Sequence, residues 1–145
     1  MKELVSIKAD GLIYVAGHER EIHLFEKKTD MPLVLAYCCS DESMTSVEID
    51  DEEGGHQMVS YILAQGYRKL GVISGRADNI HAKRRLLGCQ RALFEAGIPY
   101  NPSWVLDANW EPEKAYTMTA KLVNAGVDAI FCMSDWMAGG VYNCI

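Results

Sequence analysis

The chain is poor in the features that usually announce chemistry. None of its 145 residues falls in a run approaching the roughly 18 consecutive apolar positions that cross a bilayer, so no membrane-spanning helix is expected. Residues 1–8 lack the long apolar stretch of a secretory leader. Positive charge is scarce: 14 Lys and Arg stand against 20 Asp and Glu, for a net charge of −6. With no basic element visible, the chain by itself does not read as a nucleic-acid binder. The histidines (His18, His23, His56 and His81) form no H-E-x-x-H pair. The cysteines (Cys38, Cys39, Cys89, Cys132 and Cys144) form no C-x-x-C, so neither a zinc site nor a dithiol redox motif is expected, nor any other cofactor. The cysteines sit mostly inside apolar runs and read as reduced, buried thiols, which points to the cytoplasm. Catalytic motifs are missing too. Gly71-Val72-Ile73-Ser74-Gly75 misplaces the serine of a nucleophile elbow, and there is neither a P-loop lysine motif nor G-x-G-x-x-G.

What remains is a well-patterned globular sequence. Hydrophobic residues make up 49%, enough for a real core. Short β-rich runs alternate with helix-length segments. Strands are predicted at 10–15, at 32–37 with Pro32 leading, and at 47–49. Helices are predicted at 19–28 and from the acidic run Asp50-Asp51-Glu52-Glu53 to a stop at Gly66, with Met58, Tyr61, Ile62 and Leu63 at helical spacing. A continuous apolar strand follows at 70–74. Next come a helix over 80–96 with Leu86, Leu87, Ala92 and Leu93 on its apolar side, a strand at 104–106, and a helix at 112–125. A strand at 128–133 leads into a last helix opened by Ser134-Asp135. Gly66, Gly97 and Gly126 read as helix stops.

Strand–helix–strand alternation of this kind predicts an α/β fold of parallel βαβ units. The rhythm breaks near 45–52, which divides the chain into residues 1–49 and 50–145. In the second part, a doubly wound sheet puts the strands at 70–74, 104–106 and 128–133 in spatial order two, one, three. The last helix is followed by no closing strand. Strands 12–15 and 128–133 are therefore expected to present open edges, and the chain is expected to be a fragment that self-associates.

Several segments, taken in order, resemble one known family. Val47-Glu48-Ile49-Asp50-Asp51 with Gly54-Gly55, then Gly66-Tyr67-Arg68-Lys69-Leu70, resembles a crossover strand, helix and following strand. Arg85-Leu86-Leu87-Gly88 with Ala92-Leu93 and Ala96-Gly97-Ile98 resembles an R-x-x-G helix. Asp128-Ala129-Ile130-Phe131-Cys132 with Ser134-Asp135, Met137-Ala138 and Gly140 is similar to a D-A-I-F-C-x-N-D-x-M-A-x-G segment. The family is that of lactose-repressor-type transcription regulators, in their effector-binding, periplasmic-binding-protein-like region. The resemblance implies two Rossmann-like parallel-sheet half-domains joined by crossover strands and incomplete at both ends. It also implies a small effector between them, a homodimer in the full-length protein, and operator contact only through a helix-turn-helix that this chain does not contain. Ser134 departs from the family's asparagine.

Ligands of open α/β sheets sit beyond the carboxyl ends of the strands. The loops there, Ala16-Gly17-His18 among them, supply the candidates. Arg85 carries a guanidinium fork suited to paired hydroxyls or a carboxylate, and the resemblance implies that it grips ligand; the plain alternative is a solvated arginine in a basic run. Trp110 offers a face for a sugar ring or a base, or else packs. Asp50 accepts from ligand hydroxyls or caps a helix. Asn79 and His81 lie before the Arg85 helix, where exposed loop polars are the simpler reading. Ser134 and Asp135 open the last helix, with Asp135 read as its cap. The expected function is ligand sensing, with a sugar as the expected ligand, in a regulator whose operator binding responds allosterically. A transport-system sugar-binding protein of the same architecture is the second reading, and a flavodoxin- or Rossmann-type enzyme domain is the third.

Overall fold

The computed structural model describes residues 9–16, 31–38 and 44–145. The expected helix at 19–28 and the loop residues Gly17 and His18 lie outside them. The chain divides into two compact units, residues 1–49 and 50–145.

In the first unit, β1 (Leu12–Val15), β2 (Leu33–Ala36) and β3 (Thr45–Val47) form a parallel sheet in that order. The third strand was expected at 47–49. It ends at Val47 because its partner ends at Ala36, opposite Val47 in the ladder. Glu48, Ile49 and Asp50 then leave the sheet, and Asp50 takes up a non-helical cap conformation. Leu35 and Cys38 are fully buried here.

In the second unit, β4 (Leu70–Ser74) lies between β5 (Val105–Asp107) and β6 (Ala129–Cys132), all parallel. This is the spatial order expected from the doubly wound pattern. All five residues of β4 are buried, as a continuous apolar run in a central parallel strand requires. The strand expected at 104–106 starts one residue later. Asn101 accepts from the Ser103 amide at 3.0 Å and Pro102 opens a 3-10 turn, which takes up Trp104.

Four helices complete this unit: α1 (Asp51–Ala64), α2 (Ile80–Glu95), α3 (Pro112–Asn124) and α4 (Asp135–Tyr142). The buried stripe of α1 is Asp51, Gly55, Val59 and Leu63, one residue every helical turn. Met58 and Tyr61, expected on that face, are turned outward, and so is Leu87 on α2. The reason is a glycine-mediated helix crossing. A Cβ on Gly55 would stand 2.3 Å from the Arg85 carbonyl oxygen, and one on Gly88 would stand 1.9 Å from that of Glu52. Two missing side chains, facing each other's backbones, set the contact faces more firmly than the apolar residues around them. Gly140 repeats the device between α4 and α3, where a Cβ would meet the Pro112 carbonyl oxygen at 2.1 Å.

Candidate functional site

The carboxyl ends of the three strands of the second unit are tied to one another. The Ala108 amide donates to the Ser74 carbonyl at 2.9 Å, and the Met133 amide donates to Ile73 at 3.0 Å. The loops leaving β4, β5 and β6 therefore share one rigid rim, and most of the predicted residues lie on it.

Arg85 sits in the second turn of α2, with its side chain about a quarter exposed. Its Nε donates to Asp51 at 2.7 Å, and its Nη1 donates to the Met133 carbonyl at the exit of β6. A guanidinium carries five N–H donors, so three are not spent on these contacts. The plain alternative of a solvated arginine is not what the geometry shows.

His81 was read as an exposed loop polar. It lies instead in the first turn of α2, 4% exposed, with Nδ1 bonded to the Asp51 carboxylate. Burial follows from helical spacing, because His81 and Arg85 are four residues apart and face the same helix. Asp51, which sequence reasoning took for an acidic first-turn residue, is the centre of this cluster, with a fully buried side chain. The signal available was its position four residues before Gly55 on the buried stripe; the composition of the Asp-Asp-Glu-Glu run concealed it.

Asn79 is half-buried and caps α2, accepting from His81 at 2.9 Å and Ala82 at 3.2 Å. Asp50 caps α1, accepting from the Glu53 amide at 3.0 Å, and is exposed. Both side chains are at least partly committed to holding backbone. Ser134, not Asp135, caps α4, with its hydroxyl accepting from Met137 at 3.3 Å. Asp135 falls in the first turn, where its charge suits the helix dipole.

Trp110 occupies the loop after β5. Asn109 and Trp110 are both left-handed, at φ 53° and 62°, a conformation that costs an L-residue free energy. Asp107 helps hold the turn, accepting from the Asn109 amide at 2.7 Å and, across the rim, from Ala77 at 3.2 Å. The indole lies against Gly75 so closely that a Cβ there would sit 2.0 Å from a ring carbon. The ring is thus seated on the β4 exit and remains partly exposed.

The thiols of Cys89 and Cys132 make no contact with the Asp51, His81 and Arg85 side chains among the described hydrogen bonds. Burial pushes the Cys89 thiol up to about 12 and that of Cys132 up to about 11, which leaves both protonated and inert. Among the described residues, no group of three or more His, Cys, Asp or Glu side chains is arranged to hold a metal ion, and no helix is long and apolar enough to cross a membrane.

Comparison with known proteins adds a second line of argument. A family model described as periplasmic binding proteins and sugar binding domain of LacI family matches residues 1–145. An HTH-type transcriptional repressor PurR from Aliivibrio fischeri (strain ATCC 700601 / ES114) is 30% identical over 145 residues, covering 95% of this chain and 43% of its own length. One of the same description from Pasteurella multocida (strain Pm70) is 29% identical over 150 residues, covering 100% and 45%. The chain thus spans less than half the length of these relatives. Among solved structures, a putative LacI-family transcriptional regulator from Rhizobium etli superposes with a TM-score of 0.83 at 23% identity, over 99% of this chain and 54% of that one. A LacI-family regulatory protein from Chloroflexus aggregans gives 0.82 at 22%, over 99% and 53%. At those identities the superpositions speak for the fold.

Proposed function

The chain belongs to the family of periplasmic binding proteins and LacI-type sugar-binding domains, and from that premise we propose that it is the ligand-sensing region of a DNA-binding transcription regulator. The full-length protein is a cytoplasmic homodimer that meets operator DNA through a helix-turn-helix outside this chain. A small effector, a sugar or sugar derivative, shifts that contact allosterically. The relatives named above are described as transcriptional repressors or regulators, which favours sensing over transport and over catalysis.

The observation that carries the reading is Arg85. Its guanidinium is fixed between Asp51 and the exit of β6, partly open to solvent, with donors to spare. A pinned fork suits adjacent hydroxyls or a carboxylate. Trp110, seated on Gly75, supplies an aromatic face on the same rim, which suits the apolar face of a sugar ring. Asp50, Asn79, His81, Ser134 and Asp135 complete the proposed site, with the caps holding the loops and His81 lying behind Arg85.

Calorimetry with D-glucose, D-ribose and cellobiose tests this reading. Saturable binding of at least one sugar, weakened tenfold or more by Arg85→Ala, is the expected result. Sugar binding unaffected by Arg85→Ala would overturn Arg85's role. Binding of purine bases in place of every sugar would keep the sensing role and change the effector class.

A further inference from the structure

Asp51 has no evident reason to be buried. Asp50 already caps α1, and Glu52 and Glu53 already place negative charge in the first turn. Either job is done as well from the surface, where a carboxylate keeps its hydration. Yet the Asp51 side chain is fully enclosed, and both of its oxygens are directed at α2. Oδ2 meets His81 Nδ1, and Oδ1 accepts from Arg85 Nε at 2.7 Å. A buried charge persists only where partners replace the lost water, and here they are two residues one helical turn apart.

We propose that Asp51 is a positioning residue of the effector site, whose buried carboxylate, shared by His81 and Arg85, holds the arginine fork in the geometry that receives ligand. The inference rests on the reading of Arg85 as an effector contact and adds to it the group through which that contact is set. The guanidinium is planar and is held at two nitrogens, Nε by Asp51 and Nη1 by the Met133 carbonyl. Two fixed corners of a rigid plane fix the third, so the direction of the Nη2 donors is decided before any ligand arrives. Such preorganisation lowers the ordering cost of binding. The brace is written into the backbone as well, because the Gly55 and Gly88 contacts bring α1 close enough to α2 for a side chain as short as aspartate to reach.

The carboxylate is needed specifically. An ionised aspartate offers only acceptors, one oxygen for the Arg85 Nε–H and one for the His81 Nδ1 side of the ring. An asparagine at 51 has the same shape but one acceptor oxygen and one amide. It can serve both partners only if the His81 ring turns its Nδ1 into an acceptor, and it then meets Arg85 without the charge that strengthens the bond.

The test uses the 145-residue chain, labelled for NMR. In the unsubstituted chain a through-hydrogen-bond coupling between Arg85 Nε and the Asp51 carboxyl carbon is expected, with the resonances assigned by their loss in Arg85→Lys and Asp51→Asn. Its absence while the β4 amides stay protected would overturn the proposal. In Asp51→Asn, with β4 amides still protected, Arg85 Nε–H exchange should accelerate at least tenfold. Affinity for whichever of D-glucose, D-ribose or cellobiose binds should fall at least tenfold, toward that of Arg85→Ala. If Asp51→Asn keeps full affinity while Arg85→Ala loses it, Asp51 does not position the fork, and the effector role of Arg85 stands. If Arg85→Ala changes nothing, the effector role of Arg85 fails, and if none of the three sugars binds, it is the sugar reading that fails. The coupling and the exchange rate then decide Asp51 alone. Should Asp51→Asn not fold, the coupling in the unsubstituted chain is decisive by itself.

Discussion

The two sheets of this chain are built alike and filled differently. Among the described residues each has three parallel strands with one in the middle. In the second unit the middle strand is buried at all five positions and belongs to a core that includes Val59, Cys89, Leu122 and Met137. In the first, the middle strand buries only Leu35 completely, and the neighbouring Ile13 and Val15 are about two-thirds exposed. Apolar strand residues are therefore not sufficient for a core. A parallel strand becomes interior when helices cover both faces, and in residues 50–145 glycines at 55, 88 and 140 bring those helices into contact.

The largest effect is expected where α1 crosses α2. Gly88→Ala drives a methyl group into the Glu52 carbonyl, and neither helix backbone yields easily. A loss of about 3 kcal/mol or more in the second unit is expected, seen as lost amide protection in β4 and α2 by hydrogen-exchange mass spectrometry. Ile73→Ala, in the fully buried middle strand, should cost about 3–4 kcal/mol by chemical denaturation. Leu35→Ala should cost about 2–3 kcal/mol, because fewer described apolar residues surround it and less of a cavity remains. Equal costs would mean that the two cores are packed alike.

Smaller effects sharpen the contrast. Gly75→Ala removes the seat of Trp110. In a Trp104→Phe, Trp136→Phe background, acrylamide quenching of the remaining indole should rise clearly, with little change in the melting temperature. Asp128 joins β6 to the α1–β4 turn through the amides of Arg68 and Lys69, at 3.0 and 2.8 Å. Lost hydration pushes its carboxyl up, but those two amides, its own backbone amide and the Lys69 charge together outweigh it and hold it below the ordinary 3.8. A lowered carboxyl adds stability above its unfolded value and loses it as the pH falls through the folded one. Asp128→Asn should therefore melt a few degrees lower than the parent at pH 7, with the gap closing below about pH 3.8. A gap independent of pH would remove the charge from the explanation. Smallest of all, Ile13→Thr on the exposed face of β1 should change stability by less than about 0.5 kcal/mol.

Much of the fold was legible because it rests on local rules. The alternation of apolar runs with helical spacing marked every described strand and α-helix to within a few residues, but not the 3-10 turn at Pro102–Trp104. The left-handed glycines at 66, 97 and 126 follow three of the helices, as expected. The R-x-x-G resemblance singles out Arg85, and residue type with a place after a strand singles out Trp110. Asp51 could not be singled out, since an acidic run at a helix start has a sufficient explanation on the surface. His81 was misjudged for the same reason, because a polar residue beside a loop gives no sign of burial.

The sequence by itself determined the order of the described elements, their parallel pairing and the end of the sheet where the candidate residues gather, because strand polarity and helix periodicity are properties of neighbouring residues. Only the tertiary structure decided which side chains on that rim work together. Gly55 and Gly88 are 33 residues apart in the sequence numbering, and nothing local states that each leaves room for the other's helix. That mutual clearance lets Asp51 reach His81 and Arg85, and a site whose key distance is set by two absent side chains appears only when both helices are in place.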